Sequence, residues 1–364
     1  MLSLALAVLA LQATPAAPPA ATAAQPAAAR WPSKEGDVTL RDFRFRSGET
    51  MAELRIHYTT LGTPRRNARG EIDNAVMLLH GTGGSGRQFF QPQFADELFG
   101  PGQPLDITRY YIILPDNIGH GGSSKPSDGL RMRFPQYDYD DMVEAQRRML
   151  VDGLGITRLR LIFGTSMGCM HAFVWGEAHP GFASALMPMA CQPVQIAGVN
   201  RMWRQAAIDA IRADPAWNGG NYTSQPLAGL RTVASLSVAV GSAPLLQQKL
   251  FPERDAAIAH VRARLESDIG SRDANDSLYQ YESSRNYNPW PNLEKITVPV
   301  TWINSADDFI NPRNATFPAD ALKRMPNAQF RLIAETDETR GHSTHSWAVF
   351  WKDDLVALLK RSGD

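Results

Sequence analysis

The stretch Leu161-Ile162-Phe163-Gly164-Thr165-Ser166-Met167-Gly168 decides the reading of this chain. Four apolar or small residues form a buried strand, and the strand runs straight into Gly-x-Ser-x-Gly. That spacing is a nucleophile elbow: the serine stands at the tip of a sharp strand-to-helix turn, with its backbone strained. Gly164 and Gly168 carry no side chains, so strand and helix can approach closely on either side of Ser166. The helix that follows aims its first N–H groups at the place where negative charge develops during attack on a carbonyl. The pentapeptide is short enough to recur by chance, so its surroundings have to support it.

Upstream, Ala75-Val76-Met77-Leu78-Leu79 is an apolar run suited to a buried central strand, and it ends in the loop His80-Gly81-Thr82-Gly83-Gly84. A second run, Tyr110 to Leu114, precedes the Gly/Ser turn from Pro115 to Ser124, in which Asp116 and His120 are expected to hold the loop. After the elbow come the candidate strands Ala185–Ala190, Val298–Asn304 and Ala328–Ile333. This series of buried strands around an elbow resembles the α/β-hydrolase fold: a mostly parallel central sheet flanked by helices. In that fold the second oxyanion donor lies in a Gly-rich loop after an early strand. Thr82 N–H is therefore the expected partner of Met167 N–H, the alternative being an ordinary tight turn. The fold also sets the order nucleophile, acid, histidine. The acid falls at Asp307 or Asp308, at the end of the strand near residue 300. The base falls at His342, directly after Gly341, or at His345. A metal site on His342 and His345 has no third ligand at suitable spacing.

Several segments resemble the homoserine O-acetyltransferases within this fold. Asp141-Met142-Val143-Glu144-Ala145-Gln146 is similar to that family's "DMV-x-AQ". Ser166-Met167-Gly168-Cys169-Met170 is similar to "SMGGMQ", and Ala213 to Tyr222 to the lid segment "ADPxWNGGxY". Asp273 to Tyr279 matches a further segment. The resemblance spans most of residues 70 to 355 and implies a hydrolase core, a helical lid and ping-pong chemistry through an acyl-serine. Loops of the family place the acid four residues before a proline, which here is Pro312 and selects Asp308. The departures matter as well. The family's arginine for the amino-acid carboxylate precedes "ADP" by about two helical turns. Counting back without gaps from Asp214, that position is Ile208, with Arg204 one turn earlier. The acidic "LD-x-HD" pattern is replaced by Ser283-Ser284-Arg285-Asn286-Tyr287-Asn288.

The chain carries 37 basic and 37 acidic residues, so no charge bias towards nucleic acid exists, and 43% of its residues are hydrophobic, as in ordinary globular proteins. Leu2 to Leu11 is too short to span a membrane. With Ala21-Thr22-Ala23 and the Pro/Ala tract to Ala29, it resembles a signal peptide and spacer, although a positive n-region is missing. The expected location is periplasmic or secreted, the alternative cytoplasmic. The expected organisation is 1–29 as leader, 30–191 with 292–364 as core, and 192–291 as a helical lid. Trp203, Trp217, Tyr222, Tyr279 and Tyr281 serve mainly lid packing. Cys169 and Cys191 are the two cysteines and are read as buried, reduced packing residues, with a bridge open in an oxidising compartment. The oligomeric state is open, a homodimer among the choices.

The reading that follows is a serine esterase for a small-molecule ester or acyl substrate, built on Ser166, Asp308 and His342, with Thr82 and Met167 as oxyanion donors. This chemistry needs no metal or organic cofactor. Acetyl-CoA-dependent O-acyl transfer is the alternative, and a binding module that does no chemistry the lesser one. Ile208 at the clamp position favours hydrolysis over transfer to homoserine.

Overall fold

The computed structural model describes residues 30–313 and 316–363, so the leader expected before residue 30 lies outside the described residues. Eight strands form one sheet in the order β1-β2-β4-β3-β5-β6-β7-β8. They are β1 Ser33–Arg44, β2 Thr50–Leu61, β3 Ala75–Leu79, β4 Tyr111–Pro115, β5 Leu161–Thr165, β6 Leu186–Met189, β7 Val300–Ser305 and β8 Ala328–Ile333. β1, β2 and β4 pair antiparallel, and every pair from β4 onwards is parallel.

The central strands are short and apolar because both faces of a parallel sheet are covered. Along β3, Ala75, Met77 and Leu79 enter the hydrophobic cluster on one face, and Val76 and Leu78 the cluster on the other. This is the alternation a strand imposes. The cover consists of α1 Pro92–Leu98, α2 Tyr139–Arg148, α3 Met167–Ala178, α9 Phe317–Arg324 and α10 Lys352–Arg361. α2 starts on a capping box, in which Asp138 accepts from Asp141 N–H and Asp141 from Asp138 N–H. No single helix among the described residues is long and apolar enough to cross a membrane.

Between β6 and β7 the chain leaves the sheet and forms α4 Gly198–Ala213, α5 Leu227–Val240, α6 Pro244–Leu250, α7 Arg254–Gly270 and α8 Ala274–Glu282. The segments that resemble the acetyltransferases hold this insertion together. Asp273 accepts hydrogen bonds from Tyr222 Oη at 2.7 Å and Gln225 Nε2 at 2.8 Å, and Trp217 Nε1 donates to Asn275 Oδ1 at 2.9 Å. Asp214 accepts from Ala216 N–H and from Gly229 N–H, joining the end of α4 to the start of α5. A motif that nothing generic in the core requires is thus explained as the internal stapling of the helical insertion.

Candidate active site

β5 delivers Ser166, and the geometry accounts for each residue of the elbow. Ser166 sits at φ 54°, ψ −109°, in the region L-residues avoid. A Cβ on Gly164 would lie 1.9 Å from Gly168 O, and one on Gly168 would lie 2.0 Å from Leu79 O, so neither position admits a side chain. Ser166 N–H donates to Met189 O at 2.8 Å and Gly168 N–H to His80 O at 3.0 Å, which ties the turn to the strands on both sides. Met167 is the first residue of α3, directly after Ser166, so its N–H has no intrahelical acceptor.

His342 lies in the loop after β8, and its Nε2 is 2.8 Å from Ser166 Oγ. Its Nδ1 is 2.8 Å from Asp308 Oδ2. The Asp308 side chain is fully buried. Burial alone would raise its pKa. The charge of His342, with hydrogen bonds from His342, Asn311 Nδ2 and Ile310 N–H, outweighs that and holds the carboxyl below its usual range.

The neighbouring candidates separate cleanly. Asp307 turns away from the imidazole. Its carboxylate accepts from Ser305 Oγ, from Thr339 Oγ1 at 2.8 Å and from Gly341 N–H at 2.8 Å, so it clips the end of β7 to the loop that carries His342. His345 touches the edge of the His342 ring, with centroids 5.5 Å apart, and pairs with Ser346 Oγ rather than with Ser166. Burial first, and the charge of His342 second, push its pKa down to about 3, so it stays neutral.

Thr82 lines the same cavity as Ser166, with its hydroxyl buried and unpaired. Its loop abuts the nucleophile, since a Cβ on Gly81 would come within 3.4 Å of Ser166 Cβ. Gln88 fixes that loop: its Oε1 accepts from Gly81 N–H at 3.1 Å and its Nε2 donates to Thr165 Oγ1 at 2.9 Å. Gln88 and Asn311, which bridges Asp308 and Ala190 O, are positioning residues with no motif to reveal them. Asp116 holds its turn as expected, accepting from Gly86 and Gly122 N–H at 2.7 Å each. His120 is fully buried and its pKa falls to about 3, by burial first and then by the charge of His80.

Two expectations need correction. Cys169 and Cys191 form a disulfide rather than reduced packing thiols. The first turn of α3 lies beside the end of β6, which brings their Cα atoms to 5.9 Å, within bridging range. The second correction concerns the arginine. Ile208 is fully buried in the apolar cluster, whereas Arg204 lines the cavity that opens onto Ser166. α4 presents 204, 207, 208 and 211 on one buried face, and of these Arg204, not the Ile208 reached by the gapless count, lines the cavity. Arg204 is 1% exposed, donates from Nε to Asn200 Oδ1 at 3.0 Å and lies 5.1 Å from the centroid of the Trp203 ring. Its Nη1 has no hydrogen-bond partner among the described residues. Ile208 therefore gives no ground for preferring hydrolysis over transfer.

The cavity measures about 800 Å³ and lies between the elbow and the helical insertion. This fold and this serine-centred site define a class, and the family comparison agrees. A family model described as the alpha/beta hydrolase fold matches residues 74–339, and the chain belongs to that family. Within it the chain is similar to a homoserine O-acetyltransferase from Solidesulfovibrio magneticus, 36% identical over 191 residues, covering 48% of this chain. The chain spans about half the length of that curated relative, 47%. Among solved structures, the homoserine O-acetyltransferase from Bacillus anthracis superposes with a TM-score of 0.79 at 21% identity, over 90% of this chain and 98% of that one. An acetylester hydrolase from Corynebacterium glutamicum superposes with a TM-score of 0.78 at 21% identity, over 90% and 96%. The chain is thus an enzyme-fold member on the branch resembling the acetyltransferases, with both transferases and esterases sharing its architecture.

Proposed function

We propose that the protein is an acyltransferase that works through an acyl-serine and moves an acyl group to the hydroxyl of a carboxylate-bearing acceptor. The observation that carries the acceptor is Arg204, a buried guanidinium with an unpaired nitrogen in the cavity that also holds Ser166. A buried cation without a counter-ion is costly, and a substrate carboxylate offsets that cost. The curated relative named homoserine O-acetyltransferase supports transfer as the reaction.

In the first half-reaction His342 Nε2 takes the Ser166 proton as Oγ attacks the acyl carbonyl. Asp308 fixes the imidazole tautomer and stabilises the imidazolium. Thr82 and Met167 N–H groups receive the oxyanion. The bond to the donor's heteroatom breaks, and the leaving group takes the proton from His342. The acceptor hydroxyl then gives its proton to His342 and attacks the acyl carbonyl. The Ser166 ester bond breaks, and Oγ recovers the proton. The helical insertion acts as the lid that limits water during this exchange.

Hydrolysis is the second reading, favoured by the likeness to an acetylester hydrolase and by a cavity wide enough to admit water beside the acceptor. The test supplies acetyl-CoA with carboxylate-bearing and neutral alcohols, follows thiol release, and identifies ester products by mass spectrometry. A serine-directed phosphonate run in parallel should label Ser166, and Ser166→Ala should lose both label and turnover. Thiol release without any new ester would select hydrolysis. Labelling away from Ser166 would overturn the acyl-serine scheme.

A further inference from the structure

We infer that the acceptor is a hydroxy acid without a cationic group, so that an amino acid such as homoserine is disfavoured. The inference rests on the acyl-serine reading above and concerns the charge of the same cavity. Four arginines line it, Arg204, Arg264, Arg272 and Arg340, and among the described residues no aspartate or glutamate does. Arg264 and Arg272 share one carboxylate set back from the lining, Asp268, at 3.5 and 3.7 Å. Arg204 and Arg340 have no ion pair among the described residues; Arg340 lies flat on Trp347, 3.9 Å from the ring centroid. Arg204 Nη1, Arg272 Nε and Arg340 Nε are all buried without hydrogen-bond partners among the described residues.

These charges stand close to the chemistry. A Cβ on Gly83 would come within 3.9 Å of Arg272 Nη1, which puts that guanidinium over the loop abutting Ser166. Arg340 is two residues before His342. An arginine cannot shed its proton to escape an unfavourable site, so the excess positive charge is permanent at working pH. A bound carboxylate would offset it. An ammonium on the same ligand would add a further cation with no carboxylate lining the cavity to receive it, and would have to be desolvated beside like charges. The cavity is therefore built for net negative ligands, not for zwitterions.

Three acetate esters of matched length separate the possibilities: 4-acetoxybutyrate, which is anionic; O-acetyl-L-homoserine, the same skeleton with an ammonium; and butyl acetate, which is neutral. Release of the alcohol part of each ester near neutral pH gives kcat/KM, and the comparison holds whether water or an alcohol completes turnover, because that bond breaks as Ser166 is acylated. The anionic ester is expected to lead both others by at least ~10-fold. Arg272→Gln should shrink the lead over butyl acetate. Arg204→Gln should do the same if it folds, which its Tm reports. O-acetyl-L-homoserine equal to or ahead of 4-acetoxybutyrate would overturn the inference, as would a lead that survives Arg272→Gln undiminished. Failure of all three esters while phosphonate still labels Ser166 would overturn it too, and would leave the acyl-serine reading standing. Turnover that persists in Ser166→Ala would sink that reading itself.

Discussion

Exchanging the two adjacent aspartates for asparagine gives the sharpest test of the site, because the two carboxylates have different partners, Asp308 the His342 ring and Asp307 the loop at Thr339 and Gly341. In Asp308→Asn one carboxylate oxygen becomes an NH2 group. If the nitrogen takes the place of Oδ2, it faces two donors, Asn311 Nδ2 and the His342 Nδ1–H, both 2.8 Å from that oxygen. The imidazole then has to hold its proton on Nε2, where it can no longer accept the proton of Ser166. If the amide turns over, its NH2 meets Ile310 N–H instead, and a buried hydrogen bond is lost at about 1–3 kcal/mol. The first arrangement removes general-base catalysis, and the equivalent exchange in serine proteases costs about 10⁴-fold, or about 5.5 kcal/mol of barrier. Asp307→Asn leaves the tautomer untouched. It weakens the clip to Gly341 N–H and Thr339 Oγ1, so it should cost stability of about 1–3 kcal/mol and roughly tenfold or less in rate. The assay is the pre-steady-state burst of p-nitrophenol from p-nitrophenyl acetate, which isolates acylation, with a thermal melt of each variant. If Asp307→Asn loses more acylation than Asp308→Asn at comparable fold, the assignment of the acid is refuted.

Two further outcomes follow from features outside the triad. The Cys169–Cys191 bridge closes a loop with a sequence separation of 22, worth about 3 kcal/mol in the chain-entropy account. Replacing both cysteines by serine should lower Tm by a few degrees, and an unchanged melt in non-reducing buffer would show that the bridge contributes nothing. Asp276, which accepts from Ser127 N–H and Oγ, has its pKa raised to about 6, by burial first. A carboxyl raised in the folded state favours folding while it is protonated, so its contribution is full below the ordinary carboxylate range and declines as pH rises through about 6. Urea titrations from pH 4 to pH 7 should show this decline flattened in Asp276→Asn. An identical pH profile for the variant would refute the raised value.

What was readable in the sequence follows the physics of each element. β3 and β5 were found because a buried strand writes its own apolar run between turn residues, β8 because Ala328, Phe330 and Leu332 alternate with Gln329 and Arg331, and the boundaries of β4, β6 and β7 moved by only a residue or two. The β1–β2 hairpin was not found. β1 is exposed along most of its length and β2 is buried mainly towards its end, so neither shows a clean alternation. The elbow was legible because sterics leave no freedom there: a side chain at Gly164 or Gly168 would strike backbone. His342 could be ranked over His345 from its glycine neighbour, but the choice between Asp307 and Asp308 needed the family's loop spacing. Both carboxylates suit the end of β7, and only the three-dimensional position of His342 distinguishes them.

The arginine shows a different limit. Arg204 and Ile208 are one turn apart on one helix face, so periodicity cannot tell which of the two meets the cavity and which meets the core. That depends on how α4 seats against α5 and α8 within the insertion. The seating is set by contacts distant in sequence, among them the packing of Trp203 against Tyr281 from α8 and the staple of Asp214 to the start of α5. The same distance effect hid the charge of the cavity. Arg204 and Arg264 come from two helices, Arg272 and Arg340 from two loops, and the chain as a whole is electrically neutral. Composition therefore excluded a charged partner of the polyanion kind while the fold gathered permanent cations at one small site. A neutral sequence can enclose a cationic cavity, because net charge says nothing of where the carboxylates lie, and among the described residues none lines this cavity. The local sign of the field, rather than the net charge, is what a substrate meets.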